Sequence, residues 1–288
     1  MKQFNPDLLK KLYIPSPTSH KGQNGKLMII GGSKLFHSAS LWSLKVASRI
    51  VDMVFYSSVP ENNKIVRTAK EEFRDGIVVK RSQIESYIEE ADCVLIGPGL
   101  PRLAGQEEGD DDTKELTERL LKKYPHKRWV IDGGSLQTMD PLFIPKNAIL
   151  TPHQKEFETL FKSEIRNPKS EINSNAQNTK TEEAIKQMAK KYNCTILLKG
   201  AVDIVCSPDE CVGISGGNAG MTKGGTGDVL AGLVAALYCK NDAFLSACAG
   251  SYINKKAGEG LYFCFSSFSF LSCKLFYSRI IFCNHCNR

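Results

Sequence analysis

Gly216-Gly217-Asn218-Ala219-Gly220-Met221-Thr222-Lys223-Gly224-Gly225-Thr226-Gly227-Asp228 runs directly into Val229-Leu230-Ala231-Gly232-Leu233-Val234-Ala235-Ala236-Leu237. Six glycines fall within thirteen residues, and an apolar helix-forming run follows a single carboxylate. Glycines let the chain turn tightly and bring backbone N–H groups close to a ligand. The first turn of the helix then presents free N–H donors at the positive end of its dipole. Such a loop is a pocket for phosphate or a developing anion, with Asp228 at its mouth. Asp also serves well as a helix N-cap. A cap needs one residue rather than a glycine-rich approach of this length, so the anion-binding and catalytic reading is preferred.

Upstream, short apolar runs recur, each ending in Gly, Pro or a polar residue. They are Lys26 to Gly32, Val54 to Ser58, Ile77 to Lys80, Cys93 to Ile96 before Gly97-Pro98-Gly99-Leu100, Trp129 to Asp132, Ala148 to Leu150 before Thr151-Pro152-His153, and Thr195 to Leu198 before Lys199-Gly200. Amphipathic stretches alternate with them, among them Ser38 to Val51, Asp112 to Lys123 and Thr181 to Tyr192. This alternation predicts an α/β fold with a mostly parallel central sheet covered by helices on both faces. Ligands bind such sheets at the carboxyl ends of the strands, where every one of these clusters falls. Gly105 to Asp112 reads as an acidic surface loop, and Lys162 to Lys180 as a mobile polar loop.

The composition is that of a globular chain, with 42% apolar and 24% charged residues. The net charge is +7, but residues 261–288 contain Lys274, Arg279 and Arg288 and no acid, leaving +4 for the remainder. That excess suits an anionic small molecule and gives no nucleic-acid footprint. Residues 1–12 lack the apolar core of a signal peptide, and no clean apolar run is long enough to span a bilayer, so a cytoplasmic protein without a membrane partner is expected. Cys93, Cys194, Cys206, Cys211, Cys239 and Cys248 read as reduced core thiols. Residues 261–288 hold six of the fourteen Phe and four of the ten Cys and stand apart from a domain over 1–260. Cys283 and Cys286 lack a second pair at zinc-site spacing, and no metal site is assigned.

Residue by residue, alternatives remain. Lys21 beside Gly22 and Gly25 suits phosphate or a surface turn, and His153 suits structure as well as catalysis. Lys199, Gly200 and Asp203 follow a strand, as a ribose or phosphate contact would. There is no nucleophile elbow and no P-loop.

In chain order the motifs are His20-Lys21-Gly22 with Gly25, Gly31-Gly32-Ser33, Ile96-Gly97-Pro98-Gly99-Leu100, Thr151-Pro152-His153 with Glu156-Phe157, Leu198-Lys199-Gly200, and the 217–228 loop. Together they resemble the ADP/ATP-dependent NAD(P)H-hydrate dehydratases of the ribokinase-like superfamily, prokaryotic type, over about residues 18 to 260. The resemblance implies a three-layer ribokinase-like fold. It also implies dehydration of the S epimer of hydrated NADH or NADPH (NADHX or NADPHX), with ADP or ATP as phosphoryl donor and release of AMP or ADP and phosphate. By the same resemblance Asp228 is the base, and the N–H groups of Gly225, Thr226 and Gly227 stabilise the moving phosphoryl group. Ala39, Gly97, Gly99, His153 and Asp228 hold the hydrate. Lys199, Gly200, Ala201, Val202, Asp203, Asn218, Gly220, Met221, Gly224, Gly225, Thr226 and Gly227 hold the nucleotide. Mg2+ on the nucleotide phosphates, a separate epimerase in the same pathway and a homo-oligomer are implied as well.

Two departures touch the hydrate pocket: Pro101 stands where the family usually has Gly, and Ile131-Asp132-Gly133-Gly134 replaces its usual Asp-Ala-Asp. The alternatives are a small-metabolite kinase of the same superfamily, acting on a hydroxymethyl group of a vitamin precursor, and an inactive nucleotide-binding protein. The kinase would leave a stable phosphorylated product; the dehydratase would leave phosphate and NADH.

Overall fold

The computed structural model describes residues 1–73, 75–102, 105–164 and 174–264. The first strand of its sheet is β1 (Lys26–Ile30), whose apolar run lets it be covered on both faces. Outward on one side lie β2 (Met53–Ser57) and β3 (Ile77–Val78). On the other lie β4 (Cys93–Ile96), β5 (Arg128–Ile131), β6 (Ile149–Leu150), β7 (Thr195–Leu198), β8 (Asp203–Cys206) and β9 (Cys211–Ile214). The nine-stranded order is β3-β2-β1-β4-β5-β6-β7-β8-β9. All pairs from β3 to β7 are parallel, and β8 and β9 add antiparallel. Chain direction across the sheet reverses between β1 and β4, which opens a crevice at the strand ends there.

Side chains alternate along each strand, so each face of the sheet has its own core. One face buries Met28, Val94, Trp129 and Ile131 against α3 (Ile84–Glu90), α4 (Thr113–Lys123), α5 (Gly133–Thr138), α6 (Gln154–Leu160) and α7 (Ser174–Tyr192). The other buries Leu27, Ile29, Leu95 and Val130 against α1 (His37–Ala47), α2 (Pro60–Phe73), α8 (Thr226–Tyr238) and α9 (Ala243–Cys264). α8 is apolar nearly all round because it lies between α1, α9 and the sheet. Gly232 makes this possible, since a Cβ there would stand 2.6 Å from the Ser43 Cα.

Three expectations need correction. Cys206 and Cys211 are not reduced thiols: they are neighbours across the β8–β9 hairpin and form a disulfide, because antiparallel pairing sets their Cα atoms 4.1 Å apart. Cys93, Cys194, Cys239 and Cys248 are buried free thiols as expected. Within the predicted 162–180 loop, helix α7 already begins at Ser174, so its C-terminal part is helical; residues 165–173 lie outside the described residues. The strand predicted from Ile77 to Lys80 stops at Val78. Residues 265–288 of the Phe- and Cys-rich tail are also outside the described residues. No helix among the described residues is long and apolar enough to cross a membrane.

Candidate functional site

The glycine loop folds before any ligand is considered. Asn218 accepts a hydrogen bond from Gly220 N at 2.8 Å and donates Nδ2 to Gly258 O on α9 at 2.8 Å. Thr226 Oγ1 donates to Met221 O at 2.6 Å and Lys223 O at 2.9 Å, drawing the loop over the start of α8. The N-cap of α8 is Gly225, with φ of 98°, a left-handed conformation suited to glycine. Asp228 therefore lies inside the first helical turn and does not cap the helix.

A charged cluster surrounds this turn. Lys199 leaves the end of β7, and its Nζ donates to Asp132 Oδ1 at 2.9 Å. Glu156 Oε2 lies 3.8 Å from the same Nζ. A Cβ on Gly227 would stand 3.6 Å from it, so the ammonium sits beside the helix start. Asp132 follows β5 directly and also accepts from the buried Thr151 hydroxyl at 2.7 Å. Glu156 is fixed by Gln137 at 2.9 Å and by His153 N at 2.8 Å. Three carboxylates thus share one lysine, and the pKa values follow. Burial, then the negative charge of Asp132, push Asp228 up to about 7 against the pull of Lys199, with Glu156 adding to the rise. Burial works to lower the Lys199 ammonium, but Asp132 and Glu156 outweigh it and hold it above its ordinary value.

Beside the cluster opens a cleft of about 660 Å3. Of the residues expected to hold the nucleotide, Lys199, Gly200, Ala201, Asp203, Asn218, Met221, Thr226 and Gly227 line it. Val202, Gly220, Gly224 and Gly225 do not line it, and Val202 is exposed. Asp203 is fully engaged: Oδ1 accepts from Gly200 N at 2.8 Å and meets Lys255 Nζ at 3.3 Å, and Oδ2 accepts from Ser251 at 2.7 Å. It shapes the 200–202 turn rather than reaching out. The Thr226 N–H already donates to Lys223 O at 3.3 Å, which leaves the following first-turn N–H groups as the better anion donors.

The residues expected to hold the hydrate divide. His153 lines the cleft among the nucleotide residues; it also caps α6, its Nδ1 accepting from Glu156 N at 3.2 Å. Ala39, Gly97 and Gly99 gather at the ends of β1 and β4. A Cβ on Gly99 would lie 3.0 Å from that of Ala39, and one on Gly97 would lie 1.8 Å from Asp132 O. Asp132 therefore stands between this group and the cleft. Sequence reasoning gave no role to Asp132, Glu156, Asn254 or Lys255. Asp132 carried a readable signal, a carboxylate at a strand end before Gly133-Gly134. Asn254 and Lys255 carried none, because nothing local in α9 marks them.

The model of the NAD(P)H-hydrate dehydratase family matches residues 27–277. This chain belongs to that family. A bifunctional NAD(P)H-hydrate repair enzyme of Methanocaldococcus jannaschii is 36% identical over 260 residues, 87% of this chain and 46% of the relative. The chain thus spans about half the length of that relative. An ADP-dependent (S)-NAD(P)H-hydrate dehydratase of Nitrosopumilus maritimus is 33% identical over 273 residues, 90% of this chain and 88% of the relative. Among solved structures, the ADP/ATP-dependent NAD(P)H-hydrate dehydratase of Bacillus subtilis, co-crystallised with ATP and Mg2+, superposes with a TM-score of 0.75 at 21% identity, covering 97% of both chains. A ribokinase-like superfamily protein of Enterococcus faecalis superposes with a TM-score of 0.73 at 20% identity, covering 98% of this chain and 94% of the other. The fold of this chain is therefore the ribokinase-like one expected from the motifs.

Proposed function

We propose that this chain dehydrates the S epimer of hydrated NADH or NADPH, using ADP or ATP as phosphoryl donor and returning the reduced dinucleotide. The observation that carries the reading is Asp228: a carboxyl raised to about 7, in the first turn of a helix whose N–H groups and neighbouring Lys199 make an anion site. A base with this affinity accepts the proton of the C6 hydroxyl near neutral pH as the oxygen attacks the terminal phosphorus. The leaving nucleotide departs with the electrons of the broken P–O bond. Lys199 and the first-turn N–H groups oppose the charge that spreads over the phosphoryl oxygens. The ring nitrogen lone pair then expels phosphate from C6, and loss of a proton from C5 restores the dihydropyridine. Ala39, Gly97 and Gly99 are proposed to hold the hydrate, and the cleft-lining residues the nucleotide.

The described residues contain no cluster of three or more metal-ligating side chains. Mg2+ needs fewer: it is commonly bound through one or two carboxylates together with substrate phosphates. Asp132 and Glu156 already accept hydrogen bonds from Lys199, Thr151, Gln137 and His153 N and do not line the cleft, so the ion would be held chiefly by the nucleotide phosphates. When bound, the ion would neutralise phosphate charge. We further propose that epimerisation falls to a separate enzyme, since the N. maritimus relative is named for the dehydratase alone. A cytoplasmic homo-oligomer is proposed as well, and light scattering tests the assembly.

The test is to incubate the protein with NADH hydrate, Mg2+ and ADP or ATP, and to follow the reduced-nicotinamide absorbance and free phosphate. Recovery of both, lost in Asp228→Asn, is expected. A stable phosphorylated product without NADH would replace this reading with the kinase one.

A further inference from the structure

Asn254 is 4% exposed, on the face of α9 that forms part of the cleft wall. Its Oδ1 is buried and has no hydrogen-bond partner among the described residues. A buried amide oxygen without a donor is costly, and native structures retain one where something else completes it. The cleft lining is of two kinds. Lys199, Thr226 and Gly227 supply polar groups suited to phosphate. Ala201, Gly217, Met221 and Leu230 line the same cleft as Asn254 with apolar surface. The Met221 sulfur lies against both Gly217 and Gly258, each of whose Cβ positions would clash with it. An apolar lining with one unpaired amide suits a purine: the faces of the base pack on aliphatic groups and thioether, and the amide takes its edge.

We propose that Asn254 reads the base of the nucleotide. Oδ1 is closed off in the unliganded protein, so the amide turns towards the cleft as the base binds; Oδ1 then accepts from the exocyclic amine of adenine while Nδ2 donates to a ring nitrogen, the pairing that amide side chains make with adenine. Guanine presents a carbonyl where adenine has its amine, and leaves Oδ1 without a donor. The inference rests on the reading of this cleft as the nucleotide site. It adds a residue that sets the choice of base independently of any catalytic step.

The experiment is calorimetric binding of ADP, GDP and inorganic pyrophosphate, each with Mg2+, to the full chain, to Asn254→Ala and to Asn254→Leu, with thermal unfolding of the unliganded proteins alongside. The wild type should prefer ADP to GDP by about 10-fold to 100-fold. Both variants should lose ADP affinity by a similar factor, bring ADP and GDP to within about 3-fold of each other, and keep pyrophosphate binding unchanged. Retained pyrophosphate binding shows that a variant is folded. Asn254→Leu should melt no lower than the wild type, because it removes an unpaired polar atom while keeping the branched side-chain shape. An ADP-to-GDP ratio that persists in both variants overturns the role of Asn254 and leaves the nucleotide site standing. Wild-type protein that binds neither ADP nor pyrophosphate overturns the nucleotide site itself, and this inference with it.

Discussion

Replacing Asp228 with Asn should stabilise the unliganded protein at alkaline pH while abolishing turnover. Asp228 is raised from an ordinary 3.8 to about 7 by burial and by Asp132. The folded state therefore holds the proton more tightly than the unfolded chain. Between these two values the native protein keeps a proton that the unfolded chain has released, so stability falls as pH rises towards 7. Above 7 the full cost is present, about 4 kcal/mol at 1.36 kcal/mol for each pH unit. The carboxyl is partly open to solvent, and screening halves this to about 2 kcal/mol. At about 2–4 °C for each kcal/mol in a chain of this size, Asp228→Asn should melt about 4–8 °C above the wild type at pH 8. At pH 5 only about a third of the gain should remain, because the native carboxyl is then already neutral. Thermal unfolding of both proteins at the two pH values, followed by circular dichroism, measures this directly. A variant that melts at or below the wild type at pH 8 would refute the claim that Asp228 is held as an electrostatically costly base. A gain equal at both pH values would place its origin in packing.

Asp132→Asn removes a negative neighbour of Asp228, so the acid limb of kcat/KM, expected near pH 7, should move down by about one unit; an unmoved limb would separate the two residues electrostatically. Gly97→Ala places a Cβ 1.8 Å from Asp132 O at a φ of 118°, and urea unfolding should show a loss above about 3 kcal/mol, or failure to fold. Reducing Cys206–Cys211 should leave the hairpin and the fold in place but lower stability by about 2 kcal/mol, the loop-closure value for so short a ring; urea unfolding with and without reductant, in wild type and in the Cys206→Ser/Cys211→Ser double variant, measures it.

What the sequence determined by itself is local. The apolar runs at Lys26, Cys93, Trp129 and Thr195, each closed by a turn residue, are strands because a short apolar segment between helices must be buried on both faces. The glycine loop before α8 was legible because glycine density and a helix start lie side by side in the chain. The antiparallel β8–β9 hairpin and its disulfide were not legible: Cys206 and Cys211 are five residues apart, and only the hairpin register makes them face each other. Lys199 and Asp132 lie 67 residues apart, and their pairing exists because β5 and β7 end at the same edge of the sheet. The position of Asp228 beside two other carboxylates and one lysine, and the unpaired Asn254 in the cleft wall, depend on α8 and α9 packing over that edge. Periodicity and turn chemistry act between chain neighbours, whereas desolvation and Coulomb interaction depend on distance in space, and that distance is set only when the sheet and helices close around the site.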